Sequence, residues 1–267
     1  MRIVFFGAST LGFECCKRLL ETGQNVVGIF SMPREFNISY AAKPVRNFNF
    51  RGFEELAERY HLPLVYVSRR MADPEYLALL DSWKPDFGLA AGWYYMIPRT
   101  VRELLPKGVA GIHASLLPKY RGGAPLVWAM IHGERETGVS LFHIDSGIDT
   151  GDIIAQARIP IGPQDTIKTI YAQAIRLAVE LAVENVPQIA AGKASRRPQD
   201  HSLATQFPQR SPEDGLIDWS QDPQRIRDFI RALTKPYPGA LTYINGRRVT
   251  IWDADIEADG RGAGGSA

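Results

Sequence analysis

The chain has 267 residues, of which 45% are hydrophobic and 22% charged, and its formal net charge at pH 7 is +2. This size allows a substantial core, and the composition is typical of a globular protein. The small net charge gives no general electrostatic reason to expect a nucleic-acid or membrane partner. We find neither a signal peptide nor an apolar stretch near the roughly 20 residues that span a bilayer, so we expect a soluble, cytoplasmic protein.

The two cysteines, Cys15 and Cys16, are neighbours within a predicted helix. Adjacent helical residues point to different faces, so we expect neither a disulfide between them nor a metal site. Two thiols beside the core of a protein in a reducing cytosol are the simpler interpretation.

The first part of the chain alternates short apolar runs with segments of helical periodicity. Arg2–Gly7, a helix over 11–21 and Asn25–Ser31 make a β–α–β opening, which implies parallel strands and a right-handed crossover. Further predicted elements are helices over 54–60, 74–83 and 99–105 and strands over 64–67, 87–92 and 108–113. Ligands bind at the carboxyl ends of strands in open α/β sheets, so a site is expected in the loops that follow these strands.

The turn from Gly7 to Gly12 joins the first strand to the first helix. It lacks both the three-glycine dinucleotide fingerprint and the Lys-Ser/Thr of a phosphate-binding loop, which favours a simple tight turn. Ser9 and Thr10 would still lie at a helix N-terminus, which attracts anions, so they are candidate substrate-binding residues.

The segment 32–53 is long and irregular and contains the run Arg46-Asn-Phe-Asn-Phe-Arg51. Two interpretations stay open. It is either a surface excursion held by buried aromatic residues or a substrate loop, since long loops in compact domains are often functional. Alternating basic and aromatic residues would suit the base and phosphates of a nucleotide.

The second part of the chain predicts two further units. Helices are predicted over 126–132 and 165–191, the latter capped by Thr166, with strands over 138–144 and 153–161. We expect a catalytic domain over 1–191, a polar linker over 192–210, a C-terminal unit over 211–258 and a disordered tail over 259–267. The C-terminal unit contains a helix over 223–233 and a hairpin that turns at Asn245-Gly246, a strong type I′ signal.

An acid–base pair is the main chemical signal of the sequence. His113 ends a predicted strand, and Asp149 lies in a turn in which Gly147 and Gly151 favour sharp changes of direction. An imidazole beside a carboxylate can move protons near neutral pH. His132 and His143 have no comparable setting.

Other charged residues near this pair are ambiguous. Lys119 and Arg121 follow His113 and form either a phosphate- or carboxylate-binding corner or a solvated basic corner. Acidic residues recur at 145, 149 and 152, but without the spacing and terminal glutamate of a calcium-binding loop, so no metal is expected.

A set of motifs resembles the 10-formyltetrahydrofolate-dependent formyltransferase family, and the similarity runs from Met1 to about Trp252. Its first part comprises His113–Gly122, Ala124-Pro125, Trp128, His132-Gly133, Thr137-Gly138-Val139 and Asp149-Thr-Gly-Asp152. Its second part comprises Ser211-Pro-Glu-Asp214, Asp218-Trp219 and Pro236-Tyr-Pro-Gly-Ala240. The resemblance implies an α/β fold: a Rossmann-like formyltransferase domain with a small, shortened C-terminal β-subdomain.

The resemblance also implies roles for individual residues. His113 and Asp149 match the family's catalytic pair, and the formyl donor is 10-formyltetrahydrofolate, without a metal. The implied donor-binding residues are Gly92, Trp93, Tyr94, Tyr95, Met96, Ile97, Asp145, Ser146, Gly147 and Ile148. The candidate substrate-binding residues are Ser9, Thr10, Lys119, Tyr120 and Arg121.

The acceptor is expected to be a primary amine. Within the family, the Lys-Tyr-Arg-Gly motif and the Asp-Trp segment most resemble enzymes that formylate nucleotide-linked amino sugars, and this resemblance implies such an acceptor. Those relatives commonly form homodimers, so a homodimer is expected. Methionyl-tRNA is the alternative acceptor. It is disfavoured by the small net charge and by the short stretch after Ala240, which leaves no room for a five-stranded barrel.

One position departs from the family pattern. An asparagine usually stands two residues before the catalytic histidine and stabilises negative charge on the reacting oxygen, but here the residue is Gly111. Three outcomes follow: another group takes over this role, water replaces the amine and the protein is a formyl-folate hydrolase, or the chain only binds folate or a nucleotide. A dinucleotide oxidoreductase is rejected, because Met32-Pro-Arg stands where an acidic residue would end the second strand.

Overall fold

The computed structural model describes residues 1–37, 44–68 and 70–257. Its strands are β1 Arg2–Gly7, β2 Asn25–Ser31, β3 Glu35–Phe36, β4 Val45–Arg46, β5 Leu64–Tyr66, β6 Phe87–Ala91, β7 Val109–His113, β8 Arg121–Gly122, β9 Glu136–His143, β10 Ile153–Pro160, β11 Gln206–Phe207, β12 Ala240–Ile244 and β13 Arg247–Ile251. Its α-helices are α1 Thr10–Glu21, α2 Glu54–Arg59, α3 Pro74–Trp83, α4 Arg99–Glu103, α5 Pro125–Ile131, α6 Ile167–Ala190 and α7 Pro223–Leu233, and short 3₁₀ turns lie at His201–Leu203 and Pro212–Gly215.

A seven-stranded sheet in the order β10-β9-β7-β6-β1-β2-β5 forms the centre of the fold. The strands β7, β6, β1, β2 and β5 run parallel, as the β–α–β pattern predicts. At the other side, β9 runs antiparallel to both β7 and β10. The α/β, Rossmann-like fold class is therefore confirmed, and the carboxyl ends of β1, β6 and β7 lie side by side.

The sheet is buried on both faces, which explains why its central strands are continuous apolar runs. Phe5 packs with residues of α1 and α6 on one face, and Phe6 packs with residues of α3 and α4 on the other. Cys15 and Cys16 are free thiols in the first of these cores, and burial raises the pKa of both. The prediction of two unpaired, buried cysteines is confirmed.

The turn between β1 and α1 is a close-packed connection. The Ser9 hydroxyl caps α1 by accepting a hydrogen bond from the Gly12 N–H. A Cβ on Gly12 would lie only 2.2 Å from the Ala91 carbonyl oxygen, so glycine is required where the helix passes the end of β6. The two glycines of this turn are explained by packing, as the simple-turn interpretation predicts.

The polar segment 192–210 lies against the sheet domain. Arg197 forms a bridge with Ile153, and β11 runs parallel to β8. The helix α7 then packs against α5. The hairpin turn has φ values of 49° at Asn245 and 72° at Gly246, which confirms the type I′ prediction. The tail predicted to be disordered, 259–267, lies outside the described residues.

Candidate active site

His113 is buried at the carboxyl end of β7, and its ring is fixed by two neighbours. Its Nε2 lies 2.7 Å from the backbone oxygen of Tyr120. A carbonyl oxygen can only accept, so Nε2 carries the proton in the neutral ring and Nδ1 keeps a free lone pair. That Nδ1 lies 3.5 Å from Asp149 Oδ2. The structure thus brings together the two residues that the sequence suggests as the catalytic pair.

Asp149 occupies the turn between β9 and β10 with a left-handed φ of 53°. Its Oδ2 accepts a hydrogen bond of 2.8 Å from the Gly122 N–H. The turn is braced at its other side by Asp145, whose Oδ1 accepts from the Gly147 N–H and the Thr150 hydroxyl. Within the described ranges, no group of three or more His, Cys, Asp or Glu side chains is arranged to hold a metal ion.

His113 lines two neighbouring cavities. Cavity A, of about 510 Å³, has Trp93, Tyr95 and Phe142 in its wall. This volume falls in the range that accepts a small-molecule ligand. Cavity B also borders the histidine and has Arg46 and Tyr171 in its wall. The residues shared by both cavities are Trp93, Tyr94, Ile112, His113, Gly122, Gly123 and Gln209.

Most of the suggested donor-binding residues line cavity A. Those in its wall are Trp93, Tyr94, Tyr95, Met96, Ile97, Gly147 and Ile148. Gly92 lines cavity B instead, and its Cβ position is filled by the Ser9 side chain. Asp145 and Ser146 are exposed and lie outside both cavity walls, since Asp145 uses its carboxylate to hold the turn.

Cavity B combines aromatic hydroxyls with cations. Burial raises the pKa of Tyr171 and Tyr237, so both stay protonated at neutral pH. The Tyr237 hydroxyl accepts a hydrogen bond from Asn49 Nδ2 at 3.0 Å. Arg46 and Arg210 also line the cavity, while no aspartate or glutamate does among the described residues. Cavity B therefore favours an anionic group, and the described part of its wall offers no carboxylate to hold an ammonium.

Four of the suggested substrate-binding residues line neither cavity A nor cavity B, so the structure gives these assignments no support. Thr10 donates its hydroxyl hydrogen to the Asn49 carbonyl oxygen and lines neither cavity. Lys119 is exposed and lines a separate surface cavity with Arg158 and Arg197. Ser9 is the one suggested substrate-binding residue that lines cavity B in the described part of the chain.

Tyr120 and Arg121 are occupied by structural contacts. The Tyr120 hydroxyl donates to Glu134 Oε1 at 2.8 Å, and its ring stacks on Phe207. The Arg121 side chain is buried, and its guanidinium donates to Gln199 Oε1 at 2.7 and 3.2 Å. Neither side chain lines cavity A or cavity B, and the backbone of this loop passes through a left-handed φ of 58° at Tyr120.

The segment 192–210 contributes cavity-lining residues that the sequence did not indicate. Phe207 and Gln209 line cavity A, and Gln209 and Arg210 line cavity B. The Arg210 guanidinium lies 4.5 Å from the Trp128 ring centroid, and burial lowers its pKa. The composition of this segment resembles that of a linker, and no local signal marks these residues.

Comparison with known proteins agrees with this architecture. The formyl transferase family model matches residues 1–186, and the model of the formyl transferase C-terminal domain matches residues 210–266. The methionyl-tRNA formyltransferase of Geotalea uraniireducens is 32% identical over 269 residues, covering 100% of this chain and 82% of the relative.

Solved structures share the fold at low sequence identity. A sugar N-formyltransferase from Shewanella sp. gives a TM-score of 0.72 at 15% identity, covering 97% of this chain and 99% of the other. WlaRD is a sugar 3N-formyltransferase solved in the presence of dTDP and 5-N-formyl-tetrahydrofolate. It gives a TM-score of 0.69 at 19% identity, covering 93% of this chain and 84% of WlaRD. The matches to both family models and the identity to a full-length relative show that the chain belongs to the formyl transferase family, a family of enzymes that transfer one-carbon groups.

Proposed function

We propose that this chain transfers the formyl group of 10-formyltetrahydrofolate to a primary amine on a phosphate-bearing carrier, with a nucleotide-linked amino sugar as the acceptor. The observation that supports it most directly is that His113 lines two neighbouring cavities of different chemistry. One is aromatic and borders Asp149, while the other is lined by Arg46 and Arg210 and is free of carboxylates among the described residues.

Cavity A fits the donor. Its wall contains Trp93, Tyr94 and Tyr95, and large apolar side chains stand exposed at its rim, with Met96 43% and Ile148 37% exposed. A flat heteroaromatic ring would cover these groups and remove apolar surface from water. When bound, the donor supplies an electrophilic formyl carbon next to His113.

Cavity B fits the acceptor. Arg46 and Arg210 can hold phosphate groups through charged hydrogen bonds, and Phe48 and Tyr94 offer aromatic faces for a base or sugar. Without a carboxylate in the described wall, the cavity does not stabilise an ammonium, so the amine enters uncharged and keeps its nucleophilic lone pair.

His113 moves the proton. Its Nε2–H is held by the Tyr120 carbonyl, so Nδ1 is the nitrogen that takes the proton of the attacking amine. The resulting imidazolium lies beside Asp149, whose charge stabilises it, and the same proton is then available to the departing folate nitrogen. Such general acid–base transfer typically contributes about 10²–10⁴-fold in rate.

The proposal is tested with purified protein, 10-formyltetrahydrofolate and a panel of dTDP-, UDP- and GDP-linked amino sugars. We expect tetrahydrofolate release and a product heavier by one formyl group with one acceptor. His113→Asn should lower this rate by at least about 10²-fold. His61→Asn is the matched control, because His61 is exposed, lies outside both cavities and has a left-handed φ of 53° that asparagine tolerates.

Other outcomes would replace the proposal. Release without any acceptor would indicate a hydrolase, and folate binding without release would indicate an inactive binder. Methionyl-tRNA is the second candidate acceptor, supported by the 32% identity to a methionyl-tRNA formyltransferase. Charged initiator tRNA therefore belongs in the panel, and its formylation in preference to every sugar would overturn the amino-sugar proposal.

A further inference from the structure

Gln199 is a buried amide that contacts the turn of Asp149 from the segment 192–210. Its Nε2 donates to the backbone oxygens of Asp149 at 2.8 Å and Gly151 at 2.7 Å. Its Oε1 accepts two hydrogen bonds from the Arg121 guanidinium, at 2.7 and 3.2 Å. Both amide hydrogens and both lone pairs of the oxygen are therefore used.

These contacts hold Asp149 from two sides. Gln199 binds the backbone of Asp149 directly, and through Arg121 it holds the strand β8, whose Gly122 N–H donates to the Asp149 carboxylate. The left-handed backbone of Asp149 costs of order 1–3 kcal/mol, so it persists only where surrounding contacts enforce it.

We propose that Gln199 is a positioning residue that holds the Asp149 carboxylate against His113, so that the segment 192–210 is part of the catalytic apparatus. This inference rests on the proposed function, in which the histidine–aspartate pair transfers the proton. Gln199 lines neither cavity A nor cavity B, so it acts through Asp149 and leaves both substrate-binding surfaces intact.

The position predicts a specific kinetic change. A small displacement of a catalytic group is enough to cost about 10²-fold in rate, while a residue outside both cavities should leave substrate affinity unchanged. We expect Gln199→Glu, which keeps the size and the acceptor for Arg121 but loses the two N–H donors, to lower kcat about 10–100-fold. The KM of each substrate should stay within about twofold of wild type, and the pH profile of kcat should shift.

The experiment separates positioning from general structural support. Gln188→Glu is the control for the added charge, because Gln188 is exposed near the end of α6 and lines neither cavity A nor cavity B. Gln199→Asn is the second variant: it keeps the amide but is one methylene too short to reach both carbonyls. Thermal unfolding of each variant shows whether it is folded, and kcat is measured only below its unfolding transition.

A double-mutant cycle with Asp149→Asn gives the decisive result. If Gln199 acts through Asp149, Gln199→Glu has little further effect on kcat in the Asp149→Asn background. Equal fold-losses in both backgrounds, or a normal kcat and pH profile in folded Gln199→Glu and Gln199→Asn, would overturn the proposal. Full activity of His113→Asn would instead overturn the proposed function, so the two failures are distinguishable.

Discussion

The Phe142 ring fills the space beside Gly111, where a side chain would otherwise begin. A Cβ built on Gly111 would lie 2.8 Å from Phe142 Cε1 and 3.2 Å from Ile144 Cδ1. Gly111 pairs with Phe142 across the antiparallel ladder and, because side chains alternate along a strand, shares a face of β7 with His113. An apolar wall thus stands where the family pattern has an amide, so under the proposed function the charge that develops on the formyl oxygen would be stabilised by the His113 imidazolium.

Gly111→Asn alone is predicted to destabilise the protein without improving catalysis. The added side chain forces Phe142 and Ile144 to move, and such overpacking typically costs about 1–3 kcal/mol. Urea unfolding at fixed pH measures this loss. An unchanged unfolding free energy together with a higher kcat would show that Phe142 and Ile144 accommodate the new side chain without cost, and would contradict the prediction.

The double variant Gly111→Asn/Phe142→Leu provides the other half of this test. The smaller side chain leaves room for the amide, so part of the stability should return and kcat should increase, up to about 10²-fold for one new oxyanion donor. Phe142→Leu alone is the control for changes in donor binding, because Phe142 also lines cavity A.

Arg46→Gln is predicted to weaken binding of the acceptor only. Arg46 lines cavity B, so loss of its charge should raise the acceptor KM about tenfold and reduce its dependence on salt, leaving the donor KM unchanged. Arg51→Gln is the matched control: each arginine pairs with a glutamate and lies over a phenylalanine ring, but Arg51 lies outside the cavity. Equal effects of the two variants would argue against a phosphate contact at Arg46.

Ile148→Ser is predicted to weaken binding of the donor only. Ile148 is 37% exposed at the wall of cavity A, and covering the rest of such a side chain is worth about 1 kcal/mol, which corresponds to a few-fold increase in the donor KM. Ile256→Ser provides the comparison, because Ile256 is 47% exposed but lies in neither cavity. If the two substitutions change the donor KM equally, the folate does not bind against Ile148.

The sheet and the positions of His113 and Asp149 could be predicted because their signals are local. Buried parallel strands are continuous apolar runs, and a type I′ turn requires residues such as Asn245-Gly246. The positions of His113 at a strand end and Asp149 in a glycine-rich turn follow from the same short-range patterns.

The hydrogen bonds that support the turn of Asp149 could not be predicted from the sequence, because they join distant parts of the chain. Gln199 meets Arg121 across 78 positions, and no periodicity in the polar segment 192–210 marks it. The direction of Arg121 depends on the left-handed backbone at Tyr120, a conformation that tyrosine rarely adopts. A basic loop beside a catalytic histidine therefore resembles a phosphate site, although the arginine is buried in a structural contact.

His143 is predicted to make the fold less stable in acid. Burial, aided by the nearby Arg196, lowers the pKa of His143, and its Nε2 is buried without a hydrogen-bond partner among the described residues. The unfolded chain binds a proton at His143 near pH 6.5, whereas the folded chain binds it only at lower pH. The folded state therefore keeps its full stability with respect to this group above about pH 6.5 and loses stability as the pH falls toward the folded pKa.

The variant His143→Leu removes this titrating group. The difference in unfolding free energy between about pH 8 and about pH 5, measured with urea, should therefore be smaller in the variant than in wild type. The carboxylates and His132 contribute equally to the pH dependence of both proteins, so their effect cancels in the comparison. If the unfolding free energies of both proteins depend on pH equally, His143 does not have the lowered pKa that its burial implies.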